Sequence, residues 1–150
     1  MEIAAREKWR PPEQDYFKMN ISVITSPANA KVGVGVLVRD FSSSVIAALE
    51  QCFLVSGDML QMHAMAVLAT LQFAFDMGLR CIDLEMESKE LLCLLKAPGP
   101  CLAAVGNLVK DILLVQKSFS FLKFSFVSKN CNKTVHVLAT EAFSSNYAHV

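Results

Sequence analysis

The stretch VGVGVLVR, residues 32–39, constrains the fold of this chain more than any other. Val32, Val34, Val36 and Val38 recur at period two, the repeat of a β-strand whose alternate side chains face one side. Gly33 and Gly35 occupy the opposite face. Glycine weakens a strand unless something packs closely over it, so the pattern predicts another backbone or a tight neighbour on that side.

The flanking sequence supplies partners for this strand. Residues 17–24 (FKMNISVI) read as a strand, and Ser26-Pro27-Ala28-Asn29 as a turn. Residues 45–53, reached through the short Asp40-Phe-Ser-Ser-Ser44 turn, read as a third strand, completing an antiparallel meander. The period then changes. Residues 59–77, rich in Ala, Leu and Met and followed by Gly78, predict a helix. Residues 81–85 predict a buried strand, and 89–95 a helix capped by Ser88 with Glu90 near its positive end. Ala97-Pro-Gly-Pro100 is a break. Helices over 102–117 and 133–143 flank a strand over 119–127.

The order β-β-β-α-β-α-α-β-α defines an α/β fold. It predicts a mixed five-stranded sheet, three antiparallel strands then two parallel, with helices on both faces and right-handed crossovers. Residues 1–16 form an extended leader, 17–143 the domain and 144–150 a tail.

Composition narrows the partners. With 53% apolar and 19% charged residues, the chain is rich enough in apolar side chains to bury a core, which excludes disorder. Net charge is zero, so composition alone does not indicate nucleic acid. Cys52, Cys81, Cys93, Cys101 and Cys131 are scattered, without metal-ligand spacing, and imply a reducing compartment, nucleus or cytoplasm. The N-terminus has no apolar segment of a secretory signal. Gln61, His63, Thr70, Gln72 and Asp76 interrupt the one long apolar stretch, so no membrane span is expected.

Several short motifs carry a resemblance. Trp9-x-Pro-Pro, Lys18-x-Asn20, Gly33-x-Gly35-Val-Leu-Val-Arg39-Asp40, Glu85-Met-Glu87-Ser88 and Asn132-x-x-Val135-His136-Val-Leu138-Ala139 occur in that order. The chain resembles the ribonuclease H-like domains of plant proteins derived from reverse-transcriptase-containing retroelements, over residues 9–143. The resemblance implies the ribonuclease H fold, and an activity that cleaves the RNA strand of RNA–DNA hybrids with two Mg²⁺ ions. Such ions need hard, anionic oxygen ligands.

Carried over by position, the family's acidic residues fall at Ser22, His63, Glu87 and His136. Only Glu87 is acidic, so it is the single candidate metal ligand, and the chain is expected to hold no Mg²⁺. His136 is the mildest change, because histidine is common there in the plant domains. Glu85 and Glu141 are conceivable substitute ligands. Two other site chemistries are open to these residues: a Ser22–His63–Glu87 hydrolase triad, and zinc held by His63, His136 and Glu87. A glycine needing positive φ is usual in the family near Ser43. Loss of acidic ligands implies a pseudoenzyme.

Three functions remain in view, beside a retroelement remnant with no selected role. The first is a catalytically silent domain that binds RNA–DNA hybrid or another nucleic acid through Asn20, Lys31, Arg39, Lys129, Asn132 and Lys133. The second is a protein-interaction module without nucleic-acid binding, which an exposed phenylalanine face over 119–126 would favour. The third is a nuclease with a rebuilt site.

Overall fold

A computed structural model describes residues 16–97, 99 and 104–145. The leader motif at Trp9, Pro98 and Pro100 of the predicted break, the predicted helix start at Leu102 and the final residues 146–150 lie outside the described residues. The described chain runs β1 (Tyr16–Ser26), β2 (Lys31–Arg39), β3 (Val45–Leu54), α1 (Met59–Asp76), β4 (Cys81–Met86), α2 (Lys89–Lys96), α3 (Gly106–Gln116), β5 (Phe121–Phe126) and α4 (Lys133–Phe143). One sheet takes the order β3-β2-β1-β4-β5. The first three strands pair antiparallel, and β4 joins β1 and β5 in parallel. The predicted element order and strand directions are those observed.

The glycine face of β2 explains the placement of α4. A Cβ on Gly33 would lie 2.6 Å from the Phe143 Cβ and 2.7 Å from the Ala139 carbonyl oxygen. On Gly35 it would lie 2.5 Å from the Ala139 amide nitrogen and 2.6 Å from the Val135 carbonyl oxygen. Helix α4 therefore rests on bare backbone. The valine face of β2 turns the other way, into a core that includes Met19, Ile21, Val34, Val36, Met62, Leu71, Ile82 and Leu84. Burial of this apolar surface is the main stabilising contribution.

Local signals set the ends of the helices. Asp58 caps α1 in a reciprocal capping box: its carboxylate accepts from the Gln61 amide at 2.8 Å, and Gln61 Oε1 accepts from the Asp58 amide at 2.9 Å. Ser88 caps α2 through the Leu91 amide at 3.2 Å, as its position predicts. Ser43 adopts φ 68°, the left-handed conformation expected at that turn. Asp40 holds the same turn, accepting from the hydroxyl and amide of Ser42 and the amide of Ser44. Those bonds, the Ser42 hydroxyl's first, hold its carboxyl below the usual range.

Two expectations need correction. Helix α3 begins at Gly106 rather than near residue 102, with Ala104 and Val105 in a turn. Strand β5 covers Phe121–Phe126 only; Phe119 precedes it and packs edge-on against the Phe75 ring, centroids 5.8 Å apart. The exposed phenylalanine face that would favour a protein-interaction module does not form. Phe119 and Phe124 are buried, Phe121 is half-buried and only Phe126 is exposed. No described helix is long and apolar enough to cross a membrane.

Candidate functional site

Strand β1 turns Lys18, Asn20 and Ser22 to one face, at period two. Strand β4 runs parallel beside it, with Lys18 opposite Asp83 and Asn20 opposite Glu85, and the chain leaves β4 at Glu87. On the other side Ser22 pairs with Gly35, the residue on which α4 sits. The start of α4 is thus brought down onto Ser22 and Glu87.

Three of the four positions implied by the resemblance are in direct contact. Ser22, fully buried, has its Oγ 3.3 Å from His136 Nδ1 and 3.5 Å from Glu87 Oε1. Both contacts are long, and the hydroxyl proton serves one of them at a time. The short bonds come from Asn132, just before α4. Its Nδ2 donates to Glu87 Oε2 at 2.7 Å and to the Ile21 carbonyl at 3.0 Å. Two acceptors on one side fix the amide's orientation, because the flipped form would set oxygen against oxygen. Asn132 consequently makes no side-chain cap for α4, and its own Oδ1 is buried without a described partner.

His63 stands across the adjoining cleft. This open cavity of about 450 Å³ is lined by Met59, Leu60, His63, Glu87, Ser88, Glu90 and Lys129, with part of β1. Burial, and secondarily the positive charge of Lys129, lower the His63 pKa below its ordinary 6.5. His63 is therefore neutral at pH 7. An unfolded chain binds its proton more readily than the folded one, so this residue's contribution to stability is complete above pH 6.5 and declines as the solution is acidified below it. Thermal melts from pH 7.5 downward should show a loss of stability on acidification that is smaller in His63→Gln. Equal slopes in the two proteins would refute that reading.

The remaining candidates fall into separate places. Arg39 donates to Asn20 Oδ1 at 3.4 Å, Asn20 donates to Glu85 Oε1 at 2.7 Å, and Lys18 pairs with Glu85 Oε2 at 3.3 Å. Ser125 of β5 donates to Asp83 at 2.8 Å. This polar ladder across β2, β1, β4 and β5 mixes both signs of charge. Sequence reasoning did not identify Lys18, Asp83 or Ser125 as members. The alternation Asp83-x-Glu85-x-Glu87 beside Lys18-x-Asn20-x-Ser22 was the available signal, hidden because strand register is tertiary information. Lys31 lies at the other end of β2 from Arg39, with its ammonium 4.8 Å from the Phe143 ring centre. Lys129 and Lys133 are exposed beside the start of α4.

The donor set decides which chemistries fit. Paired Mg²⁺ ions need several anionic oxygens. Glu87 offers one carboxylate, already bonded through Oε2. Glu85 is engaged by Asn20 and Lys18, and Glu141 is exposed on α4. No group of three His, Cys, Asp or Glu among the described residues is placed to hold a metal ion. These residues do not fit the paired cations, nor the three-ligand zinc set. A hydrolase triad fails on order: Glu87 approaches the serine hydroxyl rather than the imidazole, and Ser22 is fully buried.

The sheet order and the place of this cluster define a ribonuclease H-like domain. A family model described as reverse transcriptase-like matches residues 22–142, and the chain belongs to that family. Among solved structures, ribonuclease H1 of the archaeon Halobacterium salinarum superposes with a TM-score of 0.77 at 16% identity, covering 86% of this chain and 98% of its own. LC11 ribonuclease H1 in complex with RNA/DNA hybrid gives 0.73 at 12% identity, over 85% and 96%. The foamy viral protease-reverse transcriptase in complex with dsDNA gives 0.65 at 13%, over 89% and 98%. At these identities the likeness is one of fold. A comparison with curated proteins returned no match.

Proposed function

We propose that this chain is a nucleic-acid-binding ribonuclease H-like domain that no longer hydrolyses its ligand, of the plant retroelement-derived kind. One observation carries the reading. Where the family places its metal-binding carboxylates, Ser22, Glu87 and His136 are joined with Asn132 in a mostly neutral hydrogen-bonded cluster. A single carboxylate, already accepting a hydrogen bond from an amide, does not supply the several anionic oxygens that two cations need. Fold alone does not carry activity, so the donor set outweighs the family's chemistry.

Binding is supported by the fold's relation to a ribonuclease solved with RNA/DNA hybrid. The exposed Lys129 and Lys133 beside the cluster supply phosphate contacts. The scattered cysteine spacing supports a reducing location, nucleus or cytoplasm.

Fluorescence anisotropy with a labelled RNA–DNA hybrid tests binding and cleavage together. Affinity should fall steeply with salt, with a log–log slope of about −2 to −4 for two to four phosphate contacts. Lys129→Ala/Lys133→Ala should reduce that slope by about 2. The hybrid should stay intact with Mg²⁺ or Mn²⁺. No binding at low salt would exclude nucleic acid and favour the protein-interaction reading. Cleavage that Glu87→Gln abolishes would show a working nuclease.

A further inference from the structure

The cleft that His63 lines carries both signs of charge without pairing them. Glu87, Glu90 and Lys129 border it, with Met59 and Leu60 as an apolar wall. Among the described residues neither Glu90 nor Lys129 forms an ion pair, so their charges stand apart. Glu87 spends Oε2 on Asn132 at 2.7 Å, whereas its Oε1 has only the long 3.5 Å contact with Ser22. Half-buried His63 hydrogen-bonds to no described residue. Its neutral imidazole offers a donor on one nitrogen and an acceptor on the other. The volume of about 450 Å³ is that of a small-molecule site.

These groups select the ligand. Two carboxylates outnumber one ammonium, so the cleft repels a phosphate and admits a neutral molecule. Separated charges of opposite sign call for adjacent N–H donors with an acceptor beside them. The apolar wall calls for a flat ring face. A nucleobase meets these demands, and guanine meets them best. Its N1–H and N2–H lie side by side for one carboxylate, and O6 lies next to them for a cation. Adenine and cytosine set their amino group beside a ring acceptor that a carboxylate repels. Uracil has one N–H between two carbonyls.

We propose that this cleft takes one unpaired guanine base, from a single-stranded nucleic acid or from a free guanine nucleotide. Glu90, exposed in the first turn of α2, accepts from N1–H and N2–H, and Lys129 donates to O6. Met59 and Leu60 pack on the ring, and His63 adds an uncharged hydrogen bond. The strand form of this inference rests on the nucleic-acid reading above; the nucleotide form does not.

Fluorescence anisotropy of the full chain with a labelled oligoadenylate carrying one central guanine tests it, beside the same strand with inosine or adenine at that place. Guanine should bind about tenfold more tightly than adenine or than inosine, which lacks the N2 amino group. Glu90→Gln should erase that preference without weakening the RNA–DNA hybrid, and with unchanged circular dichroism. Guanosine monophosphate that displaces the labelled strand at the strand's own Kd assigns the cleft to the free nucleotide. Displacement that needs about tenfold more assigns it to a base within a strand, whose phosphates add contacts. Equal affinity for the three strands, a preference that survives Glu90→Gln, or no binding of strand or nucleotide would overturn the proposal; hybrid binding would still uphold the nucleic-acid reading. A preference for guanosine over inosine monophosphate, in a protein that binds neither strand nor hybrid, would overturn that reading alone.

Discussion

Replacing Gly35 by valine should displace α4 from the sheet and lower stability by about 3 kcal/mol or more. The atoms in the way are the Ala139 amide nitrogen and the Val135 carbonyl oxygen, at 2.5 and 2.6 Å from a built Cβ. Neither can rotate aside as a side chain does, so the helix axis itself must shift. Domains of this size are stable by roughly 5–15 kcal/mol, so the loss is a large share of the total. Gly78→Ala is the matching control: φ is 88° there, but a Cβ would meet nothing within 4 Å. Its cost should be limited to about 1 kcal/mol of backbone strain. Thermal melts that place Gly35→Val level with Gly78→Ala would show that α4 does not rest on β2 as described.

The second large effect is expected at Asn132. Alanine there removes the bonds to Glu87 Oε2 and the Ile21 carbonyl together. A part-buried bond to a carboxylate and a buried one to a backbone acceptor sum to roughly 3 kcal/mol. Glu87→Gln should be milder, because its amide oxygen still accepts from Asn132. The double variant Asn132→Ala/Glu87→Ala should be less destabilised than the two single changes added together, with a coupling of about 1–3 kcal/mol. Strict additivity would mean that the short bond contributes nothing, and that the cluster is not what ties α4 to β1 and β4.

These two residues also mark how far the sequence could be read. Glycine alternating with valine in residues 32–39 forecast a close neighbour on one face, and the structure supplies α4. The reason is local: strand periodicity and the absence of a Cβ are properties of the chain itself. The same holds for the Ser88 cap, whereas the positive φ at Ser43 was expected only from the resemblance. The end of β5 was misjudged because Phe119 and Val127 extend an apolar run that strand pairing does not. Runs of buried residues look alike whether or not they hydrogen-bond in a ladder.

Motif positions pointed to Ser22, His63, Glu87 and His136, but not to how they interact. That Ser22, Glu87 and His136 touch depends on the parallel register of β1 and β4 and on the seat of α4. That Asn132 holds Glu87, rather than capping its own helix, depends on where the helix start lands. The same is true of the polar ladder through Asp83 and Glu85. Local pattern determined the elements and their order, and the resemblance alone pointed to Ser22, His63, Glu87 and His136. Only the tertiary structure decided which side chains satisfy one another, because contacts between residues 42 to 114 positions apart are set by packing and register.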